Sequence, residues 1–589
     1  MGIDPGFSAS GALRSGQVEI VVGTVERPGR RVDLSVPVLV LLGVFLCGLV
    51  LLPLGWLLWY SITDRDGALT AGNFLRLATD PRFIEPYLTA LEIAAGVAFG
   101  ASAAALPLAW LVARTDLPFR RLVRALVTAS FVTPPFLGAI AWEFLAAPNS
   151  GILNRLCRSL FGLGEYEHVF NIYTSAGIVF TMACYSFPYV FVLIANALDN
   201  IPVELEQASA ILGGGSWTTL RRVTLPLILP ALLAGGLVAF VQSLTQFGVP
   251  AILALPAGFH VITTKIWALF QSPAEPHLAA AAAMPLLVVT MLLLRGQQLL
   301  LGRRGYTVIG GRSSAPMLVA LGRWRWPAFA FALGLLSLPV LLPYAALIKT
   351  ALVRAPSDPL SIATLSLQNV RFVFFEFSQT REALSNTLLL GFLSATAGTA
   401  LALVIGYITS RRLVAGYQVL GFLATAPVAI PGIVLGVGLF LSYTRPPLVL
   451  YGTLWILLLA FLTIELPAGY QQVQAAFRGL HPELEEASRI FGATRLRSLW
   501  QITAPLLRTS VVATWCFIFI GVIRELSATI MLTTAHTKVV SVIIYDLNES
   551  GDLGAISVLG ITLMLITFGV VLLVNTLPVF GRAPPSTTG

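Results

Sequence analysis

The ten residues ELEQASAILG, at positions 204–213, return almost unchanged as ELEEASRIFG at positions 483–492. The offset is 279 residues, and the 24-residue windows around the two stretches, 203–226 and 482–505, share ten identical positions. Average amino-acid usage would give about one or two identities by chance. The chain is therefore predicted to be a tandem repeat. The repeated residues are Glu204, Leu205, Glu206, Ala208, Ser209, Ile211, Gly213, Leu220, Thr224 and Pro226.

Composition sets the solvent in which this repeat must fold. The 589 residues are 56% hydrophobic and only 11% charged, and a soluble domain of this length would need more polar surface. We therefore expect a multi-span membrane protein in contact with lipid. The net charge of +9 fits basic cytoplasmic loops better than a nucleic-acid partner. The four cysteines show neither a disulfide framework nor metal-ligand spacing, so no metal site is predicted.

Twelve apolar segments are long enough to span a bilayer, which takes about 20 residues. With the N-terminus inside, the inner segments hold 23 Lys and Arg residues and the outer ones 12, which favours two cytoplasmic termini. The predicted spans are 36–62, 86–113, 122–147, 173–199, 224–252, 278–301, 327–352, 384–410, 414–442, 448–476, 504–534 and 555–580.

The repeat divides these spans equally, since each copy falls between the fourth and fifth spans of its half. We expect an all-α polytopic membrane protein with two parallel six-helix repeats, related by an axis along the membrane normal. The predicted divisions are an N-terminal tail (1–35), a first half (36–302, core repeat 86–301), a cytoplasmic linker (303–326), a second half (327–580, core repeat 384–580) and a C-terminal tail (581–589).

The repeated segment has the pattern of a helix–turn–helix elbow. Leu484, Ala487 and Ile490 recur at helical spacing, and Gly492 permits the tight backbone that would end the first short helix. Thr494 would cap a second short helix. Acidic residues suit an anionic inner leaflet poorly and a basic groove on a partner protein well. An amphipathic connector lying on the membrane surface is the alternative interpretation.

The segment also resembles a family signature, E-A-A-x₃-G-x₉-I-x-L-P, the cytoplasmic loop of importer-type ABC permeases. Gln207 and Ala504 depart from it. In that family the segment is a coupling helix that inserts into a cleft on the ATP-binding subunit. The resemblance implies a permease in the bacterial inner membrane, with an ATPase dimer and a periplasmic solute-binding protein as partners. The ATPase-coupling residues that it implies are Glu206, Gln207, Ala208, Gly213, Pro226, Glu485, Glu486, Ala487, Gly492 and Pro505.

The chain has no motif for hydrolysing ATP itself. A phosphate-binding loop needs Gly directly before its Lys, and the only three lysines follow Thr264, Ile348 and Thr537. We therefore expect no catalytic residue and no bound cofactor in this chain, with ATP and magnesium held by the partner ATPase. The five histidines form no close metal pair, which disfavours a membrane protease or phosphatase.

Ionisable residues inside the spans leave a second class of protein open. Ion-coupled secondary transporters carry such residues, and here they are Glu92, Glu143, Glu465, Arg524 and Glu525. At the 279-residue offset, Arg524 and Glu525 align with Thr245 and Gln246, so these four are predicted to line a translocation path. The alternative is a structural polar contact between helices. A secondary transporter would leave the duplicated elbow unexplained.

The cargo follows from resemblance alone. Three stretches look most like ferric-iron permeases, namely 133–154, 244–267 and 524–547. This implies uptake of ferric iron from a periplasmic binding protein. Relatives of the same two-half design imply thiamine, 2-aminoethylphosphonate or a polyamine as alternatives.

Overall fold

A computed structural model describes residues 35–271, 273–302, 318–356, 358–481 and 483–576. Nearly all of the predicted N-terminal tail, most of the linker and the whole C-terminal tail lie outside these ranges. The described chain is helical, and its β-structure is limited to three isolated bridges. The prediction of an all-α polytopic membrane protein is confirmed.

The described ranges hold nine helices that are long and apolar enough to span a bilayer, and three bent helix pairs that bring the number to twelve. In chain order, the first to twelfth spans are Val36–Ser61, Pro81–Arg114, Arg120–Val132 with Pro135–Ala146, Ser175–Asp199, Trp217–Thr245, Pro276–Leu299, Gly322–Leu352, Ser378–Ser410, Tyr417–Ala429 with Gly432–Tyr443, Leu454–Arg478, Leu499–Leu506 with Arg508–Arg524, and Leu553–Leu573.

The third and ninth spans were predicted as continuous segments, and the structure breaks both. The third span bends by 101° beside Pro134, and the ninth by 112° beside Pro431. Proline removes a backbone donor and disfavours the helical region for the residue before it, so a helix can break at these points, although Pro188 lies inside an unbroken helix. Total hydropathy is unaffected by such a bend, which is why the apolar pattern gave the number of spans and missed their shape.

The fifth and eleventh spans also differ from their predicted extents, 224–252 and 504–534. Their last membrane helices end at Thr245 and Arg524, and short separate helices follow, Gly248–Leu253 and Thr529–Leu532. Apolar residues resume directly after Gln246 and Glu525, so the predicted spans were carried past these helix ends.

The two halves are interlocked by their leading spans. The first span packs on the ninth, where a Cβ on Gly438 would lie 3.0 Å from Pro53. The seventh span packs on the first half, where the Tyr185 hydroxyl donates to the Pro339 carbonyl at 3.2 Å. Each leading span therefore crosses to the opposite core repeat.

The last part of the linker packs against the end of the second span. The Val319 amide donates to the Arg114 carbonyl at 2.8 Å, and the Leu321 amide donates to the Asp116 carboxylate at 2.8 Å. Residues 318–321 therefore cover this end of the first half.

Candidate functional site

The two repeated segments form the helix–turn–helix elbows that the sequence predicts. In the first elbow (residues 203–226), the helix Val203–Ile211 precedes a turn at Gly213 with φ +80°. In the second elbow (residues 483–505), the helix Glu483–Ile490 precedes Gly492 with φ +86°. Residues that carry a side chain rarely adopt such a positive backbone φ, so both turns favour glycine. The elbows lie six spans apart and therefore on the same side of the membrane.

Each elbow continues directly into a span. Thr494 accepts a hydrogen bond from the Arg497 amide at 3.2 Å and caps the second short helix as predicted. Wider π-type turns, Leu220–Thr224 and Leu499–Thr503, then lead into the fifth and eleventh spans. Pro226 and Pro505 stand at the start of the next helical segments, where a missing amide proton costs little.

One glutamate of each elbow turns inward and binds an arginine at the end of a membrane helix. The Glu485 carboxylate accepts from Arg411 at 3.0 and 3.2 Å and from the Thr503 hydroxyl at 2.9 Å. Only 8% of the Glu485 side chain and 13% of the Arg411 side chain are exposed. A buried carboxylate with these three donors fixes the elbow to the eighth span.

The first elbow has the same arrangement with longer contacts. The Glu206 carboxylate lies 3.4 Å from Arg114 and 3.4 Å from the Thr224 hydroxyl. Arg114 is 2% exposed and also donates to the carbonyls of Leu198, at 2.6 Å, and Ile201, at 3.4 Å. Arg411 has one such backbone contact, to the Leu480 carbonyl at 3.4 Å, whereas Arg114 has two, one of them short. The first anchor therefore depends less on its glutamate.

A hydroxyl pair closes each elbow from within. Ser209 and Thr219 lie 2.7 Å apart, and Ser488 and Ser498, at the 279-residue offset, lie 3.0 Å apart. Sequence reasoning missed the anchoring arginines because they lie 92 and 74 residues from their glutamates. The repeated Ser209 and Thr224 were the only signal that these positions make internal contacts.

The opposite face of each elbow is open. Gln207, Ala208, Glu486 and Ala487 are exposed, and so are Pro226 and Pro505. Large apolar residues stand among them at matching positions: Ile211 is 86% and Leu212 87% exposed in the first elbow, and Ile490 is 83% and Phe491 91% exposed in the second. Paired apolar patches with acidic neighbours indicate a surface that another molecule covers.

The predicted path residues gather where two membrane helices end. Gln246 and Glu525 both leave the helix with extended backbones. The Gln246 carbonyl accepts from Thr263 and the Glu525 carbonyl from Ser541, each at 2.9 Å. The carbonyl at each helix end accepts a hydrogen bond from a hydroxyl in the same way in both halves, so these helix breaks are part of the repeat.

The side chains at these breaks differ between the halves. The Glu525 carboxylate accepts from the Ala528 amide at 2.9 Å and from the Thr529 hydroxyl at 2.6 Å. In the first half, the Thr245 hydroxyl donates within its own helix, to the Val241 and Gln242 carbonyls. Arg524 and Glu525 form no ion pair with each other in the described part of the chain. The second half therefore carries the charged groups.

Arg524 reaches across to the first half. Its guanidinium lies 5.2 Å from the ring centre of Phe131, in the third span. Its Nε is buried without a hydrogen-bond partner among the described residues. Glu465, on the tenth span, interacts electrostatically with Arg524 and lies against Gly521. A charged cluster therefore lies at the contact between the halves.

The other intramembrane acids lie elsewhere. The Glu143 carboxylate accepts from the Tyr173 hydroxyl at 2.8 Å, which is a local structural contact. Glu92 lies exposed on the second span. Among the described residues, no group of three His, Cys, Asp or Glu side chains is placed to hold a metal ion.

Comparison with known proteins now gives the class. The family model described as "Binding-protein-dependent transport system inner membrane component" matches residues 105–306 and 398–577. The two matches cover more than half of the chain and fall one in each half. The chain belongs to this family and is a fused two-domain permease of the ABC importer type, a multi-pass protein of the inner membrane.

Individual relatives show the same division. A ferric transport system permease protein, FbpB, of Actinobacillus pleuropneumoniae is 26% identical over 77% of this chain, and the chain covers 65% of that protein's length. A putative ferric transport system permease of Haemophilus influenzae is 25% identical over 80% of this chain and 72% of its own length. The sulfate transport system permease CysT of Escherichia coli is 27% identical over 45% of this chain and 92% of its own length. The last protein therefore matches a region about as long as one half of this chain.

Proposed function

We propose that this chain is the transmembrane subunit of an ATP-driven importer, and that its two elbows receive mechanical force from a separate ATPase subunit dimer. The observation that carries this proposal is the two-faced geometry of the elbows. Each elbow is fixed to the bundle by a glutamate whose side chain is at most 11% exposed, and it presents exposed apolar residues on the other face. A segment that is rigidly attached to the bundle and has an exposed docking face can pass the movement of a partner protein to the membrane helices.

A protein partner explains this face better than lipid does. Glu204 and Glu483 are exposed beside the apolar residues, and Glu486 adds a second acid to the second elbow. Acids are repelled by the anionic inner leaflet, whereas they complement a basic groove into which an apolar anchor can insert. Gln207 replaces Glu486 in the first elbow, so we propose that the two docking contacts differ in strength.

The charge distribution supports a cytoplasmic position for the elbows. The excess of basic residues, 23 against 12, lies on the elbow side and supports our proposal that both termini are cytoplasmic. The charged cluster at Arg524, Glu525 and Glu465, together with Thr245 and Gln246, is proposed to line the path between the halves. Its position at paired helix breaks supports this, because irregular backbone inside a membrane is tolerated where it lines a cavity or is buried in protein.

Ferric iron, delivered by a periplasmic binding protein, is the proposed cargo. The support comes from the relatives named as ferric transport permeases. Other relatives are named for sulfate and molybdenum transport, so oxyanions join thiamine, 2-aminoethylphosphonate and polyamines as alternatives. Titrating the cognate binding protein with ferric citrate, and then with each alternative, separates them. Tight binding of an alternative without iron binding would replace the cargo assignment.

Cross-linking tests the docking proposal. In a background with Cys47, Cys157, Cys184 and Cys516 replaced by serine, we expect Ala487→Cys to cross-link to the co-expressed ATPase subunit. Ser550→Cys, an exposed control beyond the eleventh span, lies on the opposite side of the membrane and should not cross-link. The coupling proposal fails if Ala487→Cys gives no product while the complex remains assembled, or if the purified chain hydrolyses ATP alone.

A further inference from the structure

A basic pocket opens beside the second elbow, at the ends of the eighth and tenth spans. Its volume is about 370 Å³. We define the basic pocket by its polar lining residues, which are Thr409, Ser410, Arg411, Arg412, Tyr417, Gln474 and Arg478. Three of these residues are arginines and none is acidic. Arg411 is already neutralised by Glu485, so two positive charges remain without a counter-charge from the lining.

The polar groups that line the basic pocket have hydrogen-bonding capacity that their contacts with one another do not fill. Arg478 donates to Gln474 at 3.3 Å, and the Arg412 guanidinium lies 6.0 Å from the ring centre of Tyr417. Neither arginine forms an ion pair within the described ranges. The Ser410 hydroxyl oxygen is buried there without a hydrogen-bond partner. Each guanidinium offers five N–H donors, so most of the donor capacity around this pocket is free for a ligand.

The first half does not repeat the arginines that line the basic pocket, so this lining is not a by-product of the repeat. Thr115 follows Arg114 where Arg412 follows Arg411. At the 279-residue offset, Arg478 corresponds to Asp199, which reverses the charge, and Gln474 corresponds to Ala195. Residues 318–321 also pair with the backbone at the end of the second span.

We infer that the basic pocket binds a phosphate group, supplied either by a free phosphate or by the headgroup of an anionic phospholipid. Guanidinium groups bind phosphate oxygens in bidentate pairs, and basic pockets between membrane helices on the cytoplasmic side suit lipid phosphates. The shared residue Arg411 places the bound anion beside the anchor of the second elbow. That consequence for transport rests on the proposed function, whereas the binding itself depends only on the pocket residues.

Binding can be measured on the full chain without its ATPase, so failure here and failure of the coupling proposal are separate results. We would titrate inorganic phosphate into the chain in phosphatidylcholine nanodiscs. In parallel, native mass spectrometry would count phosphatidylglycerol retained from mixed nanodiscs. The test variant is Arg412→Gln with Arg478→Gln, and the matched control is Arg325→Gln together with Arg121→Gln, two exposed arginines outside the basic pocket and outside both elbows.

We expect the test variant to bind phosphate, or to retain phosphatidylglycerol, at least about tenfold more weakly, since a hydrogen bond to a charged group contributes roughly a tenfold factor or more. The control should bind like the unmodified chain, and both variants should elute as folded monodisperse protein. Loss of phosphate binding identifies a free anion, and loss of lipid retention alone identifies a headgroup. Binding of neither probe by the unmodified chain, or equal binding by the test variant, overturns the inference.

Discussion

The inward-facing glutamate of the second elbow gives the sharpest prediction. In Glu485→Gln the side chain keeps its size and loses its charge, and Arg411 stays largely buried without a carboxylate. Glu485 accepts all three of its hydrogen bonds on one oxygen, from Arg411 twice and Thr503 once. The substitution therefore removes the charge that holds the elbow to the eighth span.

The cost follows from the burial of both partners. Removing one member of a buried ion pair costs about 3–5 kcal/mol, and the lower end applies because glutamine can still accept a hydrogen bond. About 3 kcal/mol corresponds to roughly a hundredfold rise in the population of the detached elbow, at tenfold per 1.4 kcal/mol. The matching Glu206→Gln change should cost only about 1 kcal/mol, because its contacts are 3.4 Å long and backbone carbonyls also hold Arg114.

Hydrogen–deuterium exchange measures the detachment of the second elbow directly, because local unfolding exposes the backbone amides of this segment to water. We expect the amides of 483–498 to exchange about a hundredfold faster in Glu485→Gln. Glu486→Gln, one residue away and exposed, is the matched control and should leave exchange unchanged while weakening ATPase binding. Equal exchange in the two variants would refute the anchoring role of Glu485.

Three further predictions concern the turns and the charged cluster. Gly492→Pro should abolish ATP-driven uptake with membrane insertion intact, because proline cannot adopt φ +86°; normal uptake would argue against a coupling elbow. Gly151→Ala should lower the melting temperature, because its Cβ would lie 2.5 Å from the backbone carbonyl oxygen of Ala147, whereas Gly569→Ala has open space and should be neutral. Glu525→Gln should reduce uptake without changing amide exchange in the second elbow; unchanged uptake would remove Glu525 from the path.

The sequence predicted much of the architecture because repetition and hydropathy are local signals. Twelve spans, the tandem halves and the elbow turns at Gly213 and Gly492 follow from residue type and spacing. The bends beside Pro134 and Pro431 depend on how packed helices turn inside the bilayer. Apolar composition is the same for a straight span and a folded one.

The site was harder to predict because its side chains point in opposite directions. Glu485 and Glu486 are adjacent and chemically alike, so the sequence assigned both to ATPase coupling. The structure turns Glu485 toward Arg411 and leaves Glu486 exposed. Only the distant partner decides between these orientations, and it lies 74 residues away. The docking role of Glu486 stays a prediction.

The central claim is that energy enters this chain through its elbows from a separate ATPase. Proteoliposomes containing the chain, its ATPase and a ferric-loaded binding protein on the outside would measure it, with radioactive iron as the tracer. We predict that uptake requires ATP inside the vesicles and is indifferent to a proton gradient. Uptake that continues without ATP and follows the proton gradient would contradict the account and favour an ion-coupled transporter.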